Sequence, residues 1–229
     1  MPIVRCPNPG CRHEFDLIET KLGKTIRCPG CKQHITARTL TVWETMELQQ
    51  AKLARTDATV AANRLPLIGV VDDVRSLFNV GSIFRTADGA GVREIVLSGI
   101  TGVPKSDDVK IRKTALGAEL AVPFRYFASI VDALETLKRE GCLIVALEAD
   151  ADGARPIFDW VDSELPSVSQ PVALLVGNEV EGISAEARPF CDVFLALPMR
   201  GIKTSLNVSV AFGIGIYVIA EALASVNRH

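Results

Sequence analysis

Short apolar runs alternate with amphipathic stretches through the C-terminal two thirds of the chain. Runs of strand length occur at 67–72, 94–99, 124–127, 142–149, 171–177 and 193–198. Helical spacing occurs at 78–91, 129–141 and, more briefly, 185–190. Apolar strands that alternate with helices predict an α/β fold with a parallel sheet covered on both faces.

The stretch from Leu197 to Leu223 predicts a long final helix that is apolar almost all round, and therefore buried. Thr204, Ser205 and Asn207 lie where this helix would begin, and such residues cap helix N-termini. The stretch is too interrupted by polar residues and glycines to qualify as a transmembrane segment. A polar cluster at the mouth of a buried helix indicates a site.

Residues 1–38 are predicted to form a separate small unit. Cys6 and Cys11 lie in one Pro/Gly turn, and Cys28 and Cys31 lie in another. Four thiolates from two tight turns suit tetrahedral zinc, so we predict a zinc ribbon, with disulfides as the weaker alternative. The ribbon is cationic, which favours an RNA-contacting module over a structural or protein-docking one.

The remaining organisation follows from composition. Residues 39–65 have many helix formers and few breakers, which predicts a helical linker with its helix at about 42–54, before a main domain over 66–229. The formal net charge is −2, but residues 1–65 carry ten Lys or Arg against six Asp or Glu. Polyanion contact is therefore expected at local basic patches. The pattern shows no signal peptide, so we expect a soluble cytoplasmic protein with no membrane partner.

Common α/β chemistries have no support from motifs. The chain has no G-x-G-x-x-G after its first strand, no G-x4-G-K-[ST] and no G-x-S-x-G. Ligands of such sheets bind at the carboxyl ends of the strands. Three polar clusters follow those ends or lie close to them, at 79–87 (NVGSIFRTA), 175–183 (LVGNEVEGI) and 197–211 (LPMRGIKTSLNVSVA).

In this order and spacing, the three motifs resemble those of the SpoU/TrmH family of the SPOUT superfamily, which are RNA ribose 2′-O-methyltransferases. The KTALGAE stretch at 113–119 is also similar to members of this family. The resemblance covers about 66–224. It implies S-adenosylmethionine as methyl donor, a deep C-terminal trefoil knot, homodimers and an RNA partner, with no DNA expected.

The resemblance also implies roles for individual residues. Cofactor binding would involve Gly177, Gly182, Leu147, Leu197 and Leu206. The catalytic set would be Arg85, Asn79, Glu179, Ser205 and Asn207. Arg85 would orient the ribose hydroxyl and stabilise developing alkoxide charge, because its guanidinium stays protonated. Asn79 would hold Arg85 or the substrate in place.

Each candidate also has a plainer interpretation. Asn79, Ser205 and Asn207 could be helix caps only, and Arg85 could be a surface residue paired with Asp88. The basic stretch 105–113 could follow the RNA backbone or be a solvated loop. At the level of function, the alternatives are a non-catalytic zinc-ribbon module that binds RNA or protein on a knotted fold, and a SPOUT base methyltransferase. The target nucleotide, and the choice between tRNA and rRNA, stay open.

Overall fold

The computed structural model describes residues 3–6, 10–11, 13–16, 25–36, 64–104, 109–149 and 151–226. The chain divides into two compact units, Met1–Thr56 and Asp57–His229. The predicted linker helix at 42–54 lies outside the described residues.

The first unit contains two antiparallel strand pairs. Strand β1 (Ile3–Arg5) pairs with β2 (Glu14–Asp16), and β3 (Thr25–Arg27) pairs with β4 (His34–Thr36). One pair of cysteines lies between the strands of each hairpin. Short strands thus flank each pair of cysteines.

The second unit alternates strands and helices, as the apolar pattern predicts. Its strands are β5 (Leu65–Asp72), β6 (Val92–Ser98), β7 (Phe124–Phe127), β8 (Leu143–Leu147), β9 (Arg155–Pro156), β10 (Val172–Val176) and β11 (Val193–Ala196). Its helices are α1 (Leu77–Gly89), α2 (Val109–Ala115), α3 (Ala118–Ala121), α4 (Ile130–Arg139), α5 (Ile157–Ser163) and α6 (Val208–Val226).

The seven strands form one parallel sheet in the order β7-β6-β5-β10-β8-β11-β9. Strand β10 is buried along its whole length between β5 and β8. Its side chains alternate between two cores: Val172, Leu174 and Val176 face one, and Ala173 and Leu175 face the other. The parallel sheet covered on both faces is therefore confirmed.

Helices α1, α5 and α6 contribute to the larger core, and α4 contributes to the smaller one. Phe212, Ile216 and Ile219 of α6 are fully buried. Each such side chain contributes about 1.5–3 kcal/mol by leaving water. The final helix is therefore fixed against the sheet, and its first turn is held at the sheet's carboxyl edge.

By length and composition alone, Val208–Ser225 of α6 is apolar enough to cross a membrane, with a mean hydropathy of 1.8. The prediction that no segment qualifies is therefore wrong on that criterion. The polar residues and glycines that prompted it do not lower the average enough. The structure has one face of this helix packed in the core, as in the central helix of a globular domain.

Several local predictions differ from the structure. Helix α1 is capped by Ser76, whose Oγ accepts a hydrogen bond from the Asn79 backbone N–H at 3.3 Å, so Asn79 is inside the helix. The stretch 185–190 forms only a 3-10 turn at Arg188–Phe190, where Pro189 disfavours a longer helix. Helix α5 and strand β9 were not predicted, because both are too short to show a period.

Candidate functional site

Four loops meet at the carboxyl edge of the sheet, after β5, β8, β10 and β11. The loops after β8, β10 and β11, together with the start of α6, line a cavity of about 260 Å³. All five predicted cofactor residues line it, namely Leu147, Gly177, Gly182, Leu197 and Leu206. Glu179 and Ser205 of the predicted catalytic set line it as well. The structure thus brings together residues that are far apart in the sequence.

The loop after β10 is a tight hairpin, which we call the cofactor hairpin (177–182) after the role that the family resemblance implies for Gly177 and Gly182. The Asn178 N–H donates to the Gly182 carbonyl and the Gly182 N–H to the Asn178 carbonyl, both at 3.0 Å. A Cβ at Gly177 would lie 2.1 Å from the Gly182 carbonyl oxygen. Gly182 has φ +71°, and a Cβ there would meet Glu148. Both glycines are therefore required by the hairpin itself, before any ligand is considered.

A second group of polar side chains, the Asn79–Glu179–Asn207 cluster, lies beside the cavity. The Asn79 Nδ2 donates to Glu179 Oε1 at 3.1 Å, and the Asn207 Nδ2 donates to Asn79 Oδ1 at 3.3 Å. Each of the three residues comes from a different one of the three motifs. Their convergence was expected from the rule that ligands bind at the carboxyl edge of such sheets.

Glu179 connects the cofactor hairpin to the loop that precedes α1. Its carboxylate accepts hydrogen bonds from the backbone N–H groups of Arg75 and Ser76, both at 3.2 Å, as well as from Asn79. Partial burial opposes ionisation, but the N–H donors outweigh it and lower the pKa of Glu179. The side chain is therefore an anion at neutral pH and acts as an acceptor only.

Asn207 both caps α6 and bonds to Asn79. Its Oδ1 accepts the Ser209 N–H at 2.9 Å, and its carbonyl accepts the N–H of Ala211, so it caps α6. Its Nδ2 is then directed at Asn79. Capping thus orients the amide toward the cluster.

Arg85 lies two helical turns after Asn79, on the exposed side of α1. Arg85 makes no hydrogen bond or ion pair with any residue that the structure describes. The alternative interpretation, a surface arginine paired with Asp88, therefore does not hold in the described structure. It does not line the cavity. Arg85 is therefore not bonded to Asn79, Glu179 or Asn207, which are hydrogen-bonded to one another.

The cavity is also lined by residues that were not singled out from the sequence, among them Glu148, Asn178, Arg188 and Met199. Glu148 follows β8, and its Oε2 accepts the Ile183 N–H at 2.7 Å, which fixes the end of the cofactor hairpin. The sequence indicates this residue only by its place, because Glu148 directly follows an apolar run of strand length. Arg188 lies in a short 3-10 turn and had no such signal.

The basic stretch 105–113 is helical from residue 109 onward, while 105–108 lie outside the described residues. Lys110 and Lys113 of α2 are exposed, and Arg112 lies 4.0 Å from Glu119. Thr114 donates its Oγ1 hydrogen to the Phe78 carbonyl at 2.9 Å, so α2 is fastened to the start of α1.

In the first unit, the Sγ atoms of Cys6, Cys11, Cys28 and Cys31 lie within 4.8 Å of one another. The Cys6–Cys31 and Cys11–Cys28 sulfur pairs are each 3.7 Å apart. Disulfide sulfurs are about 2.05 Å apart, so no disulfide joins either pair. Burial opposes ionisation of Cys28, but the backbone N–H groups of Cys31 and Gly30 and the neighbouring thiols outweigh it and lower its pKa to about 7.

The chain is similar in sequence to known proteins. A family model described as the SpoU rRNA Methylase family matches residues 66–217. The 23S rRNA (guanosine-2′-O-)-methyltransferase RlmB of Pseudomonas aeruginosa is 32% identical over 159 residues, which cover 68% of this chain and 58% of the relative. RlmB of Shewanella oneidensis is 32% identical over 165 residues, with coverage of 70% and 61%. The chain thus spans about three fifths of the length of these relatives.

Solved structures show the same likeness. The A. aeolicus TrmH/SpoU tRNA modifying enzyme superposes with a TM-score of 0.65 at 26% identity, over 78% of this chain and 85% of that one. The SpoU methyltransferase AviRb from Streptomyces viridochromogenes, in complex with AdoMet, has a TM-score of 0.60 at 26% identity, over 74% and 65%. Because the family model spans two thirds of the sequence and nearly all of the parallel sheet, the chain belongs to the SpoU rRNA methylase family.

Proposed function

We propose that this protein transfers a methyl group from S-adenosylmethionine to a ribose 2′-hydroxyl of rRNA or tRNA. The observation that carries the proposal is the Asn79–Glu179–Asn207 cluster beside the 260 Å³ cavity at the carboxyl edge of the sheet. Relatives named as 23S rRNA (guanosine-2′-O-)-methyltransferases support the ribose, and the AdoMet complex of AviRb supports the donor.

The lining of the cavity suits the methyl donor. Glu148, Glu179 and Glu181 bring three carboxylates to the cavity, and Arg188 brings one guanidinium. Bound S-adenosylmethionine supplies an electrophilic methyl group on a positive sulfonium, and its amino-acid part carries one ammonium and one carboxylate. An acidic lining with a single cation complements that charge distribution. Leu147, Leu197 and Leu206 supply the apolar walls.

Arg85 is the residue we assign to the reacting oxygen. A protonated guanidinium is a poor base but a good stabiliser of developing alkoxide charge. Asn79 and Asn207, positioned by Glu179, would orient the ribose, and Ser205 would complete the polar wall. Transfer from a sulfonium needs no metal at the reacting atoms, so alignment supplies much of the rate.

Arg85 is exposed and does not line the cavity of its own chain, which supports a shared site in a homodimer. An apolar stripe on α6, formed by Val210, Ile214 and Tyr217, is 37–49% exposed. This α6 stripe runs beside α1: a Cβ at Gly89 would lie 2.4 Å from the Tyr217 hydroxyl. A second copy packed on the stripe would therefore also cover the side of α1 that carries Arg85.

The path of the chain after β10 is proposed to form the trefoil knot implied by the family resemblance. The insertion of β8 between β10 and β11 in the sheet is compatible with it. An experimental structure that traces 172–226 without a threaded loop would refute the knot.

The four cysteines are proposed to bind zinc. In tetrahedral Zn–thiolate sites with bonds of about 2.3 Å, sulfurs lie about 3.8 Å apart, and the observed 3.7 Å pairs fit that spacing. The low pKa of Cys28 favours the thiolate that such a site needs. The ribbon also exposes Arg27, Lys32 and His34, a set suited to phosphate contacts, so we assign it to RNA binding in the cytoplasm.

The experiment that tests the function is methyl transfer in vitro. The purified protein is incubated with methyl-labelled S-adenosylmethionine and either 23S rRNA or total tRNA transcribed or extracted without this modification. Label in one RNA class supports the proposal and identifies the substrate class. Binding of the cofactor without label in either RNA would instead favour a non-catalytic RNA- or protein-binding role.

A further inference from the structure

One side chain joins the cofactor hairpin to the loop before α1. The Asn178 Oδ1 accepts the N–H groups of Val180 at 2.8 Å and Glu181 at 3.2 Å, which folds the hairpin tip. The Nδ2 of the same amide donates to the Asp73 carbonyl at 2.9 Å. The Asn178 amide oxygen thus fixes the shape of the hairpin, and its nitrogen attaches the hairpin to Asp73.

The attachment point is itself constrained. Asp73 has φ +51°, a left-handed conformation that residues other than glycine adopt at a cost. Its Oδ1 accepts the Ile100 N–H at 2.8 Å, and its carbonyl accepts the Asn178 amide. The surrounding bonds therefore hold Asp73 in place, and a shift of Asn178 would release one of them.

The loop that starts at Asp73 leads directly to the substrate side of the site. Further along this loop, Arg75 and Ser76 donate their N–H groups to Glu179, and Ser76 caps the helix that carries Asn79. The cofactor hairpin and this loop are therefore bonded at two successive residues, Asn178 and Glu179. A movement of the hairpin cannot leave the loop unchanged.

We propose that Asn178 is a positioning residue that couples occupation of the cofactor cavity to the geometry of the loop 73–79, so that methyl donor and RNA bind cooperatively. The inference rests on the proposed function for the identity of the two ligands. Coupling of this kind is reciprocal, and coupling between two binding sites changes affinity about 5- to 150-fold.

An asparagine is needed for this coupling because it both accepts and donates. Asn178→Asp keeps an oxygen for Val180 and Glu181 but loses the donor to Asp73. Asn178→Ser keeps a shorter acceptor that does not reach Asp73. Asp192→Asn is the matched control, since Asp192 also accepts a backbone N–H, from Ile144 at 2.8 Å, but at the opposite edge of the sheet.

The test is hydrogen exchange measured by mass spectrometry on the full chain, with S-adenosylhomocysteine as the probe. In the wild-type protein and in Asp192→Asn, the probe is expected to slow exchange of the 73–79 peptide about fivefold or more. In Asn178→Asp and Asn178→Ser, the probe is expected to bind and to protect the cofactor hairpin but not 73–79. Methylation by these two variants is expected to show a lowered kcat with a smaller change in the KM for S-adenosylmethionine.

The outcomes separate the inference from the proposed function. No protection of 73–79 in the wild-type protein, or equal protection in the Asn178 variants, would overturn the coupling even if RNA is methylated. Protection that depends on Asn178, in a protein that methylates no RNA, would uphold the coupling and overturn the proposed reaction. If neither Asn178 variant folds, protection of 73–79 in the wild-type protein upholds the coupling of hairpin and loop, and its absence overturns it. Absence of probe binding to the wild-type protein would overturn both.

Discussion

At the residue scale, the two main candidates for catalysis, Arg85 and Asn79, differ in how their side chains are held. Asn79 is held by Glu179 and Asn207, whereas the Arg85 side chain is exposed and makes no polar contact among the described residues. An exposed side chain that makes no polar contact can be substituted at little cost in the free energy of unfolding. Loss of activity in an Arg85 variant would therefore report on function rather than folding.

We expect Arg85→Ala to lower the rate of methyl transfer about 10²–10³-fold, as when one donor to a developing oxyanion is removed. Arg85→Lys keeps the charge but not the planar donor fork, so its rate should lie between those of the wild-type protein and Arg85→Ala. Initial rates at saturating RNA and methyl donor measure both. S-adenosylhomocysteine binding, followed by calorimetry, should persist. An alanine variant as fast as the wild-type protein would remove Arg85 from the mechanism.

Sequence could predict the members of the cluster but not their bonds. Asn79 was expected at a helix cap because an amide before an apolar run often caps. Ser76, three residues earlier, takes that place, and this leaves the Asn79 side chain free to bond Glu179. The roles of Glu148 and Asn178 could not be predicted, because nothing in their sequence context shows which backbone N–H groups will donate to them.

At the scale of elements, the proposed zinc ribbon carries the clearest prediction. Wild-type protein should contain about one zinc per chain. Cys31→Ser removes an exposed member of the cluster and should lower that content, because three thiolates leave the tetrahedron incomplete. Cys191→Ser, which lies outside the cluster, is the matched control and should retain the metal. Elemental analysis by mass spectrometry gives the counts.

A metal-free wild-type protein, or a Cys31→Ser variant with full zinc content, would contradict the four-thiolate site.

The strands and helices could be predicted from the sequence where a run was long and apolar, as in β5 and β10. Elements whose formation depends on packing rather than on periodicity could not be predicted in this way. Helix α5 has only seven residues, and the burial of its Trp160 and Ile157 depends on the position of α6.

At the scale of the whole molecule, the strand order could not be read from the chain. Apolar runs predict strands, but the order β7-β6-β5-β10-β8-β11-β9 depends on which strand each crossover returns to. The α/β rule still placed the site, because it needs only the direction of the strands and not their order.

The α6 stripe predicts a homodimer, and one charge on it should weaken the dimer. Ile214→Glu would place a carboxylate in the middle of the proposed interface, at a cost of several kcal/mol for burying an unpaired charge. Val109→Glu is the control, since Val109 is 73% exposed at the start of α2, where an acidic residue is tolerated. Sedimentation equilibrium should show a monomer only for Ile214→Glu. A wild-type monomer would refute the dimer.

The central claim, methylation of an RNA ribose, is tested most directly by the chemical form of the product. RNA methylated by the wild-type protein with labelled S-adenosylmethionine is digested to nucleosides and separated by liquid chromatography with mass spectrometry. The account predicts that the label lies in a 2′-O-methylnucleoside and disappears with Arg85→Ala. Label in a base-methylated nucleoside, or no label in any RNA, would contradict it.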